Sequence, residues 1–175
     1  SYTFSIQEDL TVTPNSNGIA SFNDISIYEG NYLTKTFVVD SSQANKRYIL
    51  PNANIDTSSI RVEVLEQYDN GTTELFQYNL YTNIFDVNEK SRLFLVQEID
   101  DEKYQIMFGD NVLGRKPRNG SIITVTYIVT DGEEGNGAAN FNFAGRLTYL
   151  FGGADVDITS GISLLTTIQL SLIHI

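Results

Sequence analysis

The sequence predicts an all-β fold, mainly antiparallel, with few or no helices. Three observations carry this. Apolar residues recur at every second position in Ile60, Val62, Val64, in Tyr104, Ile106, Phe108, and in Ile123, Val125, Tyr127, Val129, which is the spacing of strands with one buried face. No window longer than about ten residues sustains apolar spacing at i, i+3, i+4 and i+7. Aromatic content comes from ten Phe and ten Tyr, with no Trp. Together with frequent Val, Ile and Thr, these residues suit a pleated, half-buried surface.

Taken in order, the chain opens on Ser1-Tyr2-Thr3-Phe4-Ser5-Ile6, which alternates like a strand. It lacks the basic, apolar and small-residue regions of a signal peptide, so the expectation is an interior piece of a larger protein. Leu10-Thr11-Val12 is another strand-like piece, and Glu29–Thr36 reads as a boundary leading into Phe37-Val38-Val39-Asp40. Ile60–Tyr68 and Thr72–Tyr78 are expected to form a hairpin around Asp69-Asn70-Gly71, because Asn-Gly readily supplies positive φ angles. Asp86–Ser91 has room for one turn. Leu93–Ile99 and Lys103–Phe108 flank the acidic Asp100-Asp101-Glu102 and predict a second hairpin, so the two hairpins read as an antiparallel meander. Ile122–Val129 is the next strand, and Asp131–Asn140 is a second boundary, where Gly, Glu, Asn and Ala replace the strand pattern. The expected organisation is a compact β module at 37–131, a normal domain size. The flanks 1–36 and 132–175 would form a smaller second region, pairing with each other or with parts of a parent protein.

Composition removes several function classes. Twenty-two acidic against eleven basic residues give a net charge of −11, a field that repels phosphate backbones, so nucleic acid is not an expected partner. The apolar-leaning stretch Ile162–Ile175 is broken by Ser, Thr, Gln and His. It falls short of the roughly 20 residues that span a bilayer, so no membrane partner is expected. There is no cysteine, so nothing depends on disulfides and folding in a reducing cytoplasm is the natural reading. Without Cys, and with His174 the single histidine, the usual zinc sets and Ser-His-Asp or Cys-His nucleophiles have no components. Paired carboxylates remain available for glycosidase-type chemistry, but nothing singles out a pair. Neither the acidic group Glu98, Asp100, Asp101, Glu102 nor the group Asp131, Glu133, Glu134, Asn136 follows the ligand spacing of a calcium loop. The expectation is therefore no catalytic residue, no cofactor, no metal and no small-molecule substrate.

The most site-like segment runs from Phe108 to Gly120. Gly109 and Gly114 have the spacing of the outer glycines of a phosphate loop, but Arg115-Lys116 stands where Lys followed by Ser or Thr is required. A strand pattern follows it instead of a helix. As a connector the segment explains itself: Asp110 can accept from the backbone two residues on, Asn111 tolerates left-handed geometry, Pro117 fixes φ, and Asn119-Gly120 makes a second turn. Arg115, Lys116 and Arg118 form a basic cluster on an acidic chain. They read either as solvated surface or as an interface for an acidic neighbour. Tyr78 and Tyr81, near Phe76 and Phe85, read as cross-strand core or interface before a ligand platform.

Three stretches carry a resemblance. They are Ile27 to Thr34, Arg47 to Val62, and Tyr104 to Asn140. The third contains Phe108-Gly109-Asp110, Gly114, Pro117, Gly120, Ile123, Tyr127, Gly132 and Gly135-Asn136. Across about residues 25 to 160 the chain resembles the large baseplate wedge protein of T-even-like and marine contractile-tailed phages, and more broadly the baseplate assembly proteins of contractile tails. The resemblance implies a structural subunit of the virion tail, assembled in the host cytoplasm, whose partners are further copies of itself and other wedge subunits. It brings no catalytic residue. What it carries over is a structural turn motif, Phe108, Gly109, Asp110, Gly114, Pro117 and Gly120, with Tyr127, Gly135 and Asn136. Position 111 is Asn where the wider pattern has Gly. Ser171-Leu172-Ile173-His174-Ile175 departs from the family pattern. The competing readings are a β-rich binding module, such as an adhesin or carbohydrate-binding domain, and an acidic glycosidase fragment.

Overall fold

The computed structural model describes residues 2–42, 47–82, 87–132, 138 and 140–164. The Gly135-Asn136 pair, Glu133, Glu134, Phe85, Asp86 and the Ser171–Ile175 tail lie outside the described residues. The chain forms two compact units, Ser1–Gly132 and Glu133–Ile175.

The first unit is all-β. Its strands are β1 (Phe4–Ser5), β2 (Tyr28–Glu29), β3 (Asn31–Val38), β4 (Tyr48–Leu50), β5 (Ile55–Gln67), β6 (Thr73–Leu80), β7 (Leu93–Ile99), β8 (Lys103–Phe108) and β9 (Ile122–Val129). The first two form a small antiparallel pair, and the rest make a seven-stranded sheet in the order β3-β9-β5-β6-β7-β8-β4. This sheet is mostly antiparallel and curls until it is nearly closed into a barrel. The two edge strands approach through Phe37 and Tyr48, whose rings meet edge to face at 5.5 Å. The contact continues inward from Tyr48 to Phe108 at 5.6 Å and from Phe108 to Tyr78 at 5.4 Å, edge-to-face geometry that suits aromatic quadrupoles.

The period-2 pattern dictates this interior. Ile60, Val62 and Val64 on β5, Ile106 on β8, and Ile123, Val125 and Tyr127 on β9 are all buried, while the residues between them face outward, because successive side chains of a strand leave opposite faces. Between Asp56 and Arg61 the pairing of β5 with β9 slips. The buried Ser59 hydroxyl bridges the break, donating to the Asp56 carbonyl at 2.6 Å and accepting the Ile128 N–H at 2.8 Å, so the bulge leaves those backbone groups satisfied.

Both expected hairpins form: β5 pairs antiparallel with β6, and β7 with β8. In the first turn only Gly71 takes a positive φ, at +82°, and Tyr68 and Thr72 close it through a 2.9 Å backbone bond. The loop is therefore longer than a two-residue Asn-Gly turn. The 3-10 turn Asp100–Glu102 closes the second.

Two expectations need correction. β6 and β7 run parallel, through Asn79↔Leu93 and Leu80↔Phe94, so the hairpins do not make one antiparallel meander. Parallel neighbours need a crossover of about a dozen residues, and residues 81–92 supply it. The expected boundary after residue 36 falls inside β3, which pairs with β9 from Asn31 to Val38. The N-terminal flank thus belongs to the same unit as the sheet, because β9 offers a full-length partner edge and 31–38 alternates to match it.

In the second unit β10 (Thr148–Phe151) pairs antiparallel with β11 (Ala154–Asp157). Among the described residues no helix is long and apolar enough to cross a membrane.

Candidate functional site

The loop at 109–120 joins β8 to β9, and its backbone is bonded to two separate parts of the first unit. Gly114 N–H donates to Asn88 O at 3.1 Å and Arg115 N–H to Ser91 O at 2.8 Å, fixing the loop to the crossover. Gly120 N–H donates to Val39 O at 2.9 Å, and Ser41 N–H donates to Asn119 Oδ1 at 2.8 Å, fixing it to the segment after β3. Inside the loop, Asn111 N–H reaches Gly114 O at 2.9 Å, and Asn111 Oδ1 accepts the Lys116 N–H at 2.9 Å.

Asp110 Oδ1 accepts the N–H groups of Val112 and Leu113, both at 2.9 Å. These bonds, Leu113's first and Val112's second, hold its carboxyl below the usual carboxylate range. Gly109 is required by contact: a Cβ there would strike the Gly114 backbone. Gly120 is required by conformation, with φ +79°. Asn111 sits at φ +72°, the left-handed geometry its short polar side chain tolerates. Pro117 is buried.

The structure thus brings Gly109, Asp110, Gly114, Pro117 and Gly120 together in one corner, with Phe108 anchoring it in the aromatic interior. Tyr127 is not part of that corner. It lies within β9, buried, opposite Leu33, and its hydroxyl donates to Asn52 Oδ1 at 2.7 Å.

The basic cluster does not behave as one solvated patch. Arg115 Nη2 lies 2.5 Å from Glu66 Oε2, and Arg118 Nε lies 3.7 Å from the same oxygen. Glu66 is fully buried, at 0% exposure. Its other oxygen, Oε1, faces the Tyr78 hydroxyl at 3.5 Å. Arg118 also lies over the Tyr68 ring at 4.7 Å, and Arg92 stacks on Phe76 at 3.5 Å, so aromatic faces support the cations. Burial alone would lower the Arg115 guanidinium, but the hydrogen bond and charge of Glu66 hold it above its ordinary value. Of the two readings, solvated surface or an interface for an acidic neighbour, Arg115 and Arg118 follow neither: both engage a carboxylate of the same chain. Lys116 is exposed.

Sequence reading missed Glu66, although the signal was present: Ile60, Val62, Val64 and Glu66 share one parity along β5, so the strand's own period turns this carboxylate inward.

Two shallow depressions flank the corner. One, of about 260 Å³, is lined by Val39, Tyr48, Phe108 and Pro117 among others; the second, of about 470 Å³, runs past Ser41, Glu89, Lys116 and Arg118. Among the described residues no group of three or more His, Cys, Asp or Glu is placed to hold a metal ion. Tyr78 is buried at 2% exposure and Phe76 lies beneath Arg92, so neither offers an open ring face as a ligand platform. What the arrangement does is mechanical: it ties the β8–β9 connector to β5, to the crossover and to the segment after β3. No known protein family and no curated protein matches this chain.

Proposed function

We propose that this chain is a structural piece of a contractile-tail baseplate wedge, working within the virion through contacts with copies of its parent protein and with other wedge subunits. The observation that supports this best is the corner at 108–120. Several positions through which the sequence resembles baseplate wedge proteins are ones where the backbone accepts few alternatives: Gly109 against Gly114, Gly120 at φ +79°, and Asp110 capping two N–H groups. A motif made of turn-forming and close-approach residues preserves shape, and shape is what a subunit under mechanical load contributes. In this reading the chain is no enzyme, and its usefulness lies in rigid surfaces presented to neighbours. Arg115 and Arg118, engaged with Glu66, lock the corner, while Lys116 is left to meet a neighbour.

An antibody raised against the chain tests the proposal when applied to contractile-tailed particles whose genome encodes it. Electron microscopy should show label at the baseplate end of the tail. Label confined to the capsid or fibres, or particles that lack the protein, would overturn it.

A further inference from the structure

Four Asn-Gly pairs occur in the sequence, at 17–18, 70–71, 119–120 and 136–137, and the first three lie among the described residues. Asparagine is a thermolabile side chain. A following glycine makes it more so, because a residue without Cβ lets its own nitrogen approach the preceding carboxamide. All three asparagines are exposed, so water reaches each of them and access does not rank them. Each glycine N–H is held by one backbone bond of 2.9 Å, Gly18 to Asn15 O, Gly71 to Tyr68 O and Gly120 to Val39 O. What differs is how much of the fold must open to release the pair.

Asn119-Gly120 is tied at both reacting groups. While Gly120 N–H reaches Val39, Asn119 Oδ1 accepts the Ser41 N–H at 2.8 Å from 78 positions away. Asn70 is held only within its own hairpin turn, its Oδ1 accepting from Thr72 N–H at 3.0 Å and from Thr72 Oγ1 at 2.7 Å. Asn17 lies in the stretch 6–27, which carries no helix or strand. Its turn is organised by Asn15, whose Oδ1 accepts the N–H groups of Asn17 and Ile19 at 2.9 and 3.0 Å. The Asn17 carboxamide itself has no hydrogen bond among the described residues. Exposed local turns open at little cost, whereas a segment bonded to distant parts of the chain opens only with a larger part of the fold.

We propose that Asn17 is a site of covalent modification in the folded chain, and that the β8–β9 corner shields Asn119 from the same reaction. When the turn opens, the Gly18 nitrogen gives its proton to solvent base and attacks Asn17 Cγ. The new C–N bond closes a succinimide ring, and the side-chain nitrogen leaves as ammonia. Water then adds to one of the two ring carbonyls and leaves aspartate or isoaspartate. The only co-reactant is water. Each conversion adds one negative charge to a chain already at −11. At Asn17 the change falls outside every strand of the first unit, whereas isoaspartate at Asn119 would displace the oxygen that holds Ser41. The inference stands on these turns and not on the baseplate reading.

Peptide mapping by mass spectrometry of the full chain, held folded in mildly alkaline buffer, measures the loss of each asparagine. Asn17 should convert first, Asn70 more slowly, and Asn119 slowest, by roughly tenfold or more against Asn17. In urea that unfolds the chain the three rates should converge, since each is then an Asn-Gly pair in open solvent. Gly109→Ala, which disturbs the corner, should speed Asn119 and leave Asn17 unchanged; the comparison of folded with unfolded chain decides even where that variant does not fold. Asn70 or Asn119 converting as fast as Asn17 in the folded chain, the folded-state order persisting in urea, or a folded Gly109→Ala chain in which Asn119 stays slow would each overturn the proposal.

Discussion

At the scale of single residues, Glu66 and its cations separate three basic side chains that look alike in sequence. Arg115 is 23% exposed and meets a fully buried carboxylate at 2.5 Å, whereas Arg118 is 47% exposed at 3.7 Å. Removing Arg115 takes the nearer cation from the buried Glu66 carboxylate and leaves it only the 3.7 Å contact with Arg118. Arg115→Ala is therefore expected to cost about 1–3 kcal/mol of stability, as for a buried charged group that loses its hydrogen bond, and Arg118→Ala about 1 kcal/mol or less, as for an exposed pair. Urea unfolding of both variants checks this; equal losses would mean that Glu66 does not discriminate between them. The parity of β5 made the burial of Glu66 legible in the sequence. The identity of its partner was not, because 49 positions separate Arg115 from Glu66 and no local rule links them.

At the scale of elements, the β8–β9 corner and the β5–β6 hairpin use glycine for different reasons, and substitution tells them apart. Gly71 has a positive φ in open space, so Gly71→Ala pays only for the backbone, about 1–2 kcal/mol. Gly109 lies against the Gly114 backbone, which cannot rotate away as a side chain can, and Gly109→Ala should be the more destabilising of the two. Gly120→Val should lose about 1–3 kcal/mol through strain at φ +79°. Thermal melts measure all three, and a Gly109→Ala protein as stable as Gly71→Ala would rule out the close approach as the reason for that glycine. Gly-Gly at 152–153, between Tyr149-Leu150-Phe151 and Val156, is a strong short-range hairpin signal that the sequence reading passed over. The β6–β7 parallel pair carried no comparable signal: the alternation of β7 is the same whether its neighbour runs with it or against it.

For the molecule as a whole, the interior is bound by tyrosines contributed from different strands. Burial pushes the Tyr78 phenol up to about 12, with the Glu66 charge adding to the shift. Tyr127 is raised by burial, and Tyr48 by burial and then by Asp40. A phenol whose folded value lies above its unfolded value, near 10, contributes stability that is complete below that pH. The contribution is lost as pH rises from about 10 toward the folded value of about 12. Melting temperature should therefore fall steeply across this window, and Tyr78→Phe should flatten the fall while leaving neutral-pH stability little changed, since its hydroxyl bond to Glu66 is long at 3.5 Å. A variant with the parent's alkaline slope would show that Tyr78 does not carry the linkage.

Sequence by itself determined the fold class, the inward face of β5, β8 and β9, and the positions of both hairpins in the first unit. Each is set by contacts between residues near in the chain, or by the two-residue repeat that any pleated strand obeys. Only the tertiary structure decided that β3 completes the sheet, that β6 and β7 run parallel, that the Tyr127 hydroxyl meets Asn52, and that Arg115 closes on Glu66. Alternation fixes which face of a strand is buried but not which strand lies beside it. That choice is made when distant segments compete for the same edges and the same buried charge.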